Sequence, residues 1–287
     1  MRRTVGIAAG IVTHVLFAVT VCFLYQFLQG GHIATADGDL RIDLVLALQF
    51  AVLHSALLYP RVRQAMTRWI AAPFYGLFFC ATTCAGLLIL FKLWQPSTTV
   101  WWQLTGGARR LIDLGWFGSW AGLIYSLSLN GFGYQTGWTP WWRWVRRQPP
   151  LSRPFQPRGA YYVLRHPVYL CFLGLVWFTP LMTPDRALLT AVWTAYVFVG
   201  SCLKDQRLAY YVGEDYLNYQ ARVAGYPGMF FGPLGKIALV KSPRMGVVAV
   251  EFSPMSVASN SPPQFPPGAE SARATHSAVR LSCSSSR

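Results

Sequence analysis

Tyr161-Tyr162-Val163-Leu164-Arg165-His166-Pro167-Val168-Tyr169 sets a cationic, proton-exchanging pair directly against an apolar run. From Val168 the chain continues Tyr169-Leu170-Cys171-Phe172-Leu173-Gly174-Leu175-Val176-Trp177-Phe178 without a charge. Pro167 suits the first turn of a helix, where a missing N–H costs nothing. Arg165 and His166 are therefore expected at the mouth of a membrane helix, so that chemistry is placed at a membrane surface.

Composition points the same way: 53% of residues are hydrophobic and 12% charged, with several charge-poor runs near the ~20 residues needed to cross a bilayer. The spans read as Val5 to Leu28, Ile42 to Tyr59, Pro73 to Trp94, Leu114 to Phe132, Val168 to Met182 and Ala187 to Leu203. The fifth is short and interrupted near Thr179-Pro180, and the last two form a helical hairpin closing at Thr183-Pro184-Asp185. The fold class is all-α, a polytopic membrane bundle of about six spans. The first apolar run is too long for a signal-peptide core and ends in no small-residue cleavage site, so it reads as a retained helix.

Charge orients the chain, because short cytoplasmic loops collect Lys and Arg. Arg2 and Arg3, then Arg61, Arg63 and Arg68, then Arg143, Arg146, Arg147, Arg153, Arg158 and Arg165 fall on one side; Asp37, Asp39, Asp43 and Asp185 fall on the other, with Arg41, Arg109, Arg110 and Arg186 as a weaker basic showing. Both termini are expected in the cytoplasm. This asymmetry accounts for much of the formal charge of +15 and favours anionic lipid headgroups over nucleic acid as the basic residues' partner. Trp138, Trp141, Trp142 and Trp144 among arginines read as an interfacial aromatic belt. Five of the six cysteines lie in apolar spans and read as small hydrophobes; no zinc spacing is present, and no metal is expected.

From about Lys236 to residue 287 the chain is rich in Ser and Pro, a composition that cannot repay its ordering entropy, and it is expected to be a disordered tail. Residues 1–235 then form one helical membrane domain. Within it, Lys204 to Arg222 carries Leu208, Tyr211, Val212, Tyr216 and Tyr219 near helical spacing, with Gly213 as a break between two short helices. This is a cytoplasmic cap able to fold back over the Arg165-His166 mouth, bringing Asp205, Arg207 and several tyrosines to His166.

Arg165-His166-Pro167-Val168-Tyr169, the hairpin, Asp205, Leu208 and Gly213-Glu214-Asp215-Tyr216-Leu217-Asn218-Tyr219 together resemble the C-terminal signature of the isoprenylcysteine carboxyl methyltransferase superfamily. Upstream, Leu53-His54-Ser55 with Pro60 and Arg63, Trp94-Gln95-Pro96 with Val100-Trp101, and Gly131-Phe132-Gly133-Tyr134-Gln135 are similar to its bacterial methanethiol S-methyltransferase and NnrU branch. The resemblance covers about residues 45 to 225. It implies an integral-membrane methyltransferase of the bacterial inner membrane that uses S-adenosyl-L-methionine, held by residues 155–225 and not by a Rossmann sheet. It also implies that Val163, Leu164, His166, Pro167 and Tyr169 cradle the cofactor, with Asp205, Tyr216 and Tyr219 of the cap completing the site. One departure stands out: the family's two adjacent Glu residues are here Lys204 and Asp205.

The chemistry such a site performs is in-line displacement at a sulfonium methyl, in which positioning and desolvation of the nucleophile do most of the work. A small thiol must react as thiolate. Arg165 is the candidate to stabilise that anion or bind the cofactor carboxylate, and His166 the candidate to take the thiol proton. His54, inside an apolar span, is either a substrate-side group or a hydrogen-bonding partner for a neighbouring helix. The acceptor is a small or lipophilic thiol, methanethiol first, giving dimethyl sulfide. A prenylcysteine carboxylate, a sterol-reductase-like use of nicotinamide, and a non-catalytic NnrU-like role are the alternatives.

Overall fold

Apolar length and a few breakers divide the chain into its elements. In the computed structural model residues 3–29, 35–151, 154–229 and 231–236 are described. They fall within a compact unit of residues 1–249; a second unit, 250–287, lies outside them, as do Arg2, Arg153, Cys283 and all but the first residue of the expected tail.

The order is α1 (Arg3–Gln29), α2 (Leu40–Leu58), α3 (Pro60–Met66), α4 (Ala72–Leu93), β1 (Trp102–Gln103), α5 (Gly106–Asn130), α6 (Phe132–Gln135) and α7 (Trp138–Val145). A 3-10 turn (Gly159–Tyr162) follows, then α8 (Pro167–Trp177), β2 (Leu181–Met182), α9 (Pro184–Val212) and α10 (Glu214–Arg222). α1, α2, α4 and α9 are long and apolar enough to cross a membrane. α8 is a shorter apolar helix, while α5 begins before the expected span and places Arg109, Arg110 and Asp113 in its first turns. The outer faces are apolar: Val5, Ile11, Val12, Val15 and Phe23 of α1, and Val45 and Val52 of α2, are exposed. Such continuous apolar exterior belongs against lipid.

Local chemistry sets the ends. Asp39 caps α2 by accepting from the Arg41 N–H at 2.8 Å, and Pro60, Pro167 and Pro184 occupy first helical turns. The interruption after α8 is a two-residue antiparallel ribbon, Trp102 opposite Met182 and Gln103 opposite Leu181. No breaker separates Leu203 from Val212, so the sixth span and the first cap helix are one continuous α9. Gly213 then takes φ 72, ψ −137, a conformation that favours glycine, and turns the chain into α10.

α4 packs on α1 and α2, α2 also on α9, α9 on α8, and α8 along α5. The main core joins Leu28, Leu46, Leu90, Trp116, Leu175 and Leu189, closing the bundle at the end opposite the cap. There the acids act as loop anchors: Asp43 accepts from the Gln95 N–H at 2.9 Å, and Asp185 accepts from Trp94 Nε1 at 3.0 Å and the Ser97 N–H at 3.1 Å.

At the cap end α7 docks on α1 and α4. Trp141 is buried over Gly10 and donates from Nε1 to the Gly6 carbonyl at 2.8 Å, while Trp144 covers Gly6, so these members of the expected belt pack into the groove left by Gly6 and Gly10. Trp138 and Trp142 stack, with the Arg146 guanidinium 4.9 Å from the Trp142 ring centre. Gly76 meets Gly137 backbone to backbone; a Cβ on Gly76 would lie 2.6 Å from the Gly137 Cα.

Candidate active site

α10 folds back, and the segment after it hydrogen-bonds to the mouth of α8: the Arg165 N–H donates to the Ala224 carbonyl at 2.9 Å and the His166 N–H to Gly225 at 3.2 Å. The Arg165 side chain is buried and spent on backbone. Its Nη1 donates to the carbonyls of Val223 and Gly235 at 2.8 Å each and of Gln220 at 3.2 Å; Nη2 donates to Pro233 at 3.1 Å and pairs with Asp205 Oδ2 at 3.0 Å. Asp205 in turn lies 3.2 Å from His166 Nε2 through Oδ1, the oxygen that also accepts from the Tyr216 hydroxyl. Two buried charges are thus paired and hydrogen-bonded, the condition under which burying them is tolerable. The result is a clamp holding the cap against α8.

His166 is fully buried, stacked on Tyr169 with ring centres 5.6 Å apart, and its Nδ1 has no hydrogen-bond partner among the described residues. Burial pushes its pKa below the usual value against the opposing pull of Asp205. The neutral ring with its proton on Nε2 fits this setting. Because the folded ring binds its proton less readily than the unfolded one, its contribution to stability is complete above about pH 6.5 and is lost as the pH falls through the lower folded value. Acidification from pH 7.5 to about 5 should therefore lower the thermal unfolding midpoint of the wild type in detergent more than that of His166→Gln. Equal drops in both would show that the imidazole does not carry this dependence.

Beside the clamp lies a chamber of about 1070 Å³, at or above the upper end of the ~300–1,000 Å³ common for small-molecule sites. Its inner wall is apolar, with Leu24, Leu87, Leu123, Val176 and Trp193. Toward the cap it is polar and basic: Arg63, Arg158, Arg165, Lys204 and Arg207 line it, and no Asp or Glu does so among the described residues. Phe155 of the 154–158 strap packs edge-on to Tyr216 and Tyr219, with centres 5.3 and 5.4 Å away. The Tyr219 hydroxyl donates to the Tyr161 carbonyl at 2.5 Å, and Asn130 Nδ2 donates to the Tyr161 hydroxyl. Burial and the neighbouring Asp205 carboxylate push the Tyr216 phenol well above its usual range, so it stays a neutral donor.

Of the residues singled out from sequence, Arg165, Tyr169, Tyr216, Tyr219 and His54 line the chamber. His166 and Asp205 stand behind its wall, within the clamp. Pro167 is buried at the start of α8, the Leu164 carbonyl lies 3.5 Å from the Tyr219 hydroxyl, and Val163 is 72% exposed and outside the lining. His54 lines the chamber and meets Thr83 Oγ1 of α4 through Nδ1 at 3.3 Å. Sequence reasoning missed Tyr161, Asn130, Arg158 and the strap as lining residues, and it read Lys204 as a lost acid without placing it in a wall.

No family model matches the chain, and no solved structure matches it significantly. Curated proteins do. A methanethiol S-methyltransferase of Pseudomonas sp. is 27% identical over 235 residues, 77% of this chain and 89% of that protein. The chain is similar to the methanethiol S-methyltransferases. Another, from Mycobacterium tuberculosis, is 26% identical over 78% of this chain and 96% of its own length. Nurim of Danio rerio is 25% identical over 62% of this chain and 69% of its own. The resemblance read from His54, the Arg165-His166-Pro167 mouth and the cap is borne out by these relatives, whose alignments span most of the bundle.

Proposed function

We propose that this membrane protein transfers the methyl group of S-adenosylmethionine to methanethiol, releasing dimethyl sulfide. The chamber carries the reading: an apolar pocket under a clamped cap, in a chain related to enzymes named for that reaction.

The lining suits such a donor. Phe155, Tyr216 and Tyr219 offer aromatic edges and faces for a purine, Tyr161 and Tyr169 offer π-faces to a sulfonium cation, and Arg158 offers a partner for a carboxylate. When bound, the donor supplies an electrophilic methyl carbon. The chain's part is to hold the acceptor in line, to exclude water through the strap and cap, and to fix the tyrosines through the Arg165–Asp205–His166 clamp. Here Arg165 and His166 act as positioning groups. Arg165 lines the basic end of the chamber, whereas His166 sets the wall from behind and does not line the space where an acceptor fits.

The positive-inside pattern favours the cytoplasmic face for the cap, the strap and the N-terminus, the side on which the donor is made available. The decisive experiment incubates membranes holding the protein with methanethiol and S-adenosylmethionine and measures dimethyl sulfide in the headspace. Product above that of membranes lacking the protein is expected. Protein that binds the donor yet forms no thioether would overturn the assignment.

A further inference from the structure

Resting on the thiol methyl transfer proposed above, we infer that Lys204 is the group that holds the acceptor as its thiolate. Lys204 faces the chamber from α9, its Nζ 5.1 Å from the ring centre of Tyr169 and 5.9 Å from that of Tyr161. Among the described residues it makes no hydrogen bond and no ion pair within bonding distance. An ammonium has three donors to place, and the Lys204 side chain is half-buried with its head toward the chamber.

Each of the other cations lining the chamber has a contact of its own, as Lys204 has its two rings, and Arg165 is the one most fully held. Arg165 holds four carbonyls and Asp205 through Nη1 and Nη2, its Nε alone lacking a partner among the described residues. Arg63 lies over the Tyr75 ring at 5.3 Å, Arg207 approaches the Leu58 carbonyl at 3.5 Å, and Arg158 reaches Gln156 Oε1 at 3.3 Å. With no carboxylate in the lining among the described residues, the charge on Lys204 finds its closest-fitting anion in a ligand.

Position selects which anion. Gly200, one turn earlier on α9, and Val197, Trp193 and Val176 beyond it make the apolar part of the wall. Lys204 therefore stands where that apolar space meets the basic mouth. A small lipophilic thiol partitions into the first and needs a counter-charge at the second. The groups around Nζ are Asp205 and Arg207 of its own helix, Tyr169 of α8 and Tyr161 of the 3-10 turn, with Arg165 and His166 beyond Asp205.

The atoms balance simply. The thiol gives its proton to water as it enters and is held as the anion. Its sulfur lone pair forms the new bond to the methyl carbon as the sulfonium C–S bond breaks, that pair remaining on the departing sulfur. Anion and sulfonium charge vanish together, so Lys204 is left facing a neutral thioether that it does not retain. The gain is real although a stabilised thiolate is a weaker nucleophile. Each tenfold rise in thiolate fraction costs only about threefold in attack at a Brønsted slope of ~0.4–0.5.

The test uses the purified full chain in detergent, comparing wild type with Lys204→Met, Lys204→Arg and Lys204→Glu. Lys204→Met should lower kcat/KM for methanethiol about tenfold near pH 7, with the deficit shrinking as the pH rises and the thiol ionises unaided. Lys204→Arg should keep most of the activity, and calorimetric affinity of Lys204→Met for S-adenosylhomocysteine should stay within about twofold of wild type. Weakened homocysteine-product binding with an unchanged pH profile would instead assign Lys204 to the donor's carboxylate, and a loss equal at every pH, or none, would also overturn the inference. So would a gain of affinity and turnover in Lys204→Glu, the mark of a decayed acidic site. Wild type that binds the product but makes no thioether at any pH would remove the underlying activity as well, a result distinct from these.

Discussion

Asp205→Ala should detach the cap and abolish methyl transfer. The substitution strands the Arg165 guanidinium without its carboxylate, leaves His166 Nε2 and the Tyr216 hydroxyl without their shared acceptor, and does so in a buried cluster. Removing one partner of a buried pair typically costs about 3–5 kcal/mol. Misplacing groups that position a reaction by about 1 Å costs roughly a hundredfold in rate. Loss of at least that size in dimethyl sulfide formation is expected, with a lower unfolding midpoint and new protease sensitivity near residues 213–225. Asp205→Asn keeps an acceptor for Tyr216 and should fall between. An Asp205→Ala protein with wild-type turnover would show that the clamp does not set the wall.

Gly200→Leu should separate stability from activity. A Cβ at Gly200 meets nothing within 4 Å, and the residue lines the chamber one turn from Lys204. A leucine therefore enters open space next to the proposed acceptor position. Replacing a helical glycine also favours the helix by about 0.5–1 kcal/mol. The unfolding midpoint should hold or rise while turnover of methanethiol falls at least tenfold. Gly200→Ala, which adds only a methyl, should keep most of the activity. Retained turnover in Gly200→Leu would place the reaction elsewhere in the chamber.

Much of this arrangement was legible before any coordinates. The helix start at Pro167, the break at Gly213 and the return of Asp205 and the tyrosines to His166 follow from residues whose conformational preferences are strong and local. The partners of Arg165 were not legible, because its acceptors are main-chain carbonyls at 220–235, and backbone carries no sequence signature. Nor was the chamber. A void leaves no periodicity, so Lys204 reads on paper only as a reversed charge, whereas in space it is a cation beside an opening. The tryptophans show the same limit: Trp141 and Trp142 are adjacent and identical in composition terms, yet only the first meets the groove that Gly6 and Gly10 leave on α1.

The four carbonyls that bind the Arg165 guanidinium come from residues 220, 223, 233 and 235. During synthesis the whole transmembrane bundle through α9 emerges from the ribosome before these oxygens do. A nascent chain halted at residue 219 would already own every span while its arginine had only Asp205 to grip. The protein is thus assembled like a vessel whose lid is translated after its walls, and shortening the gene to before codon 220 should leave inserted but unsealed protein.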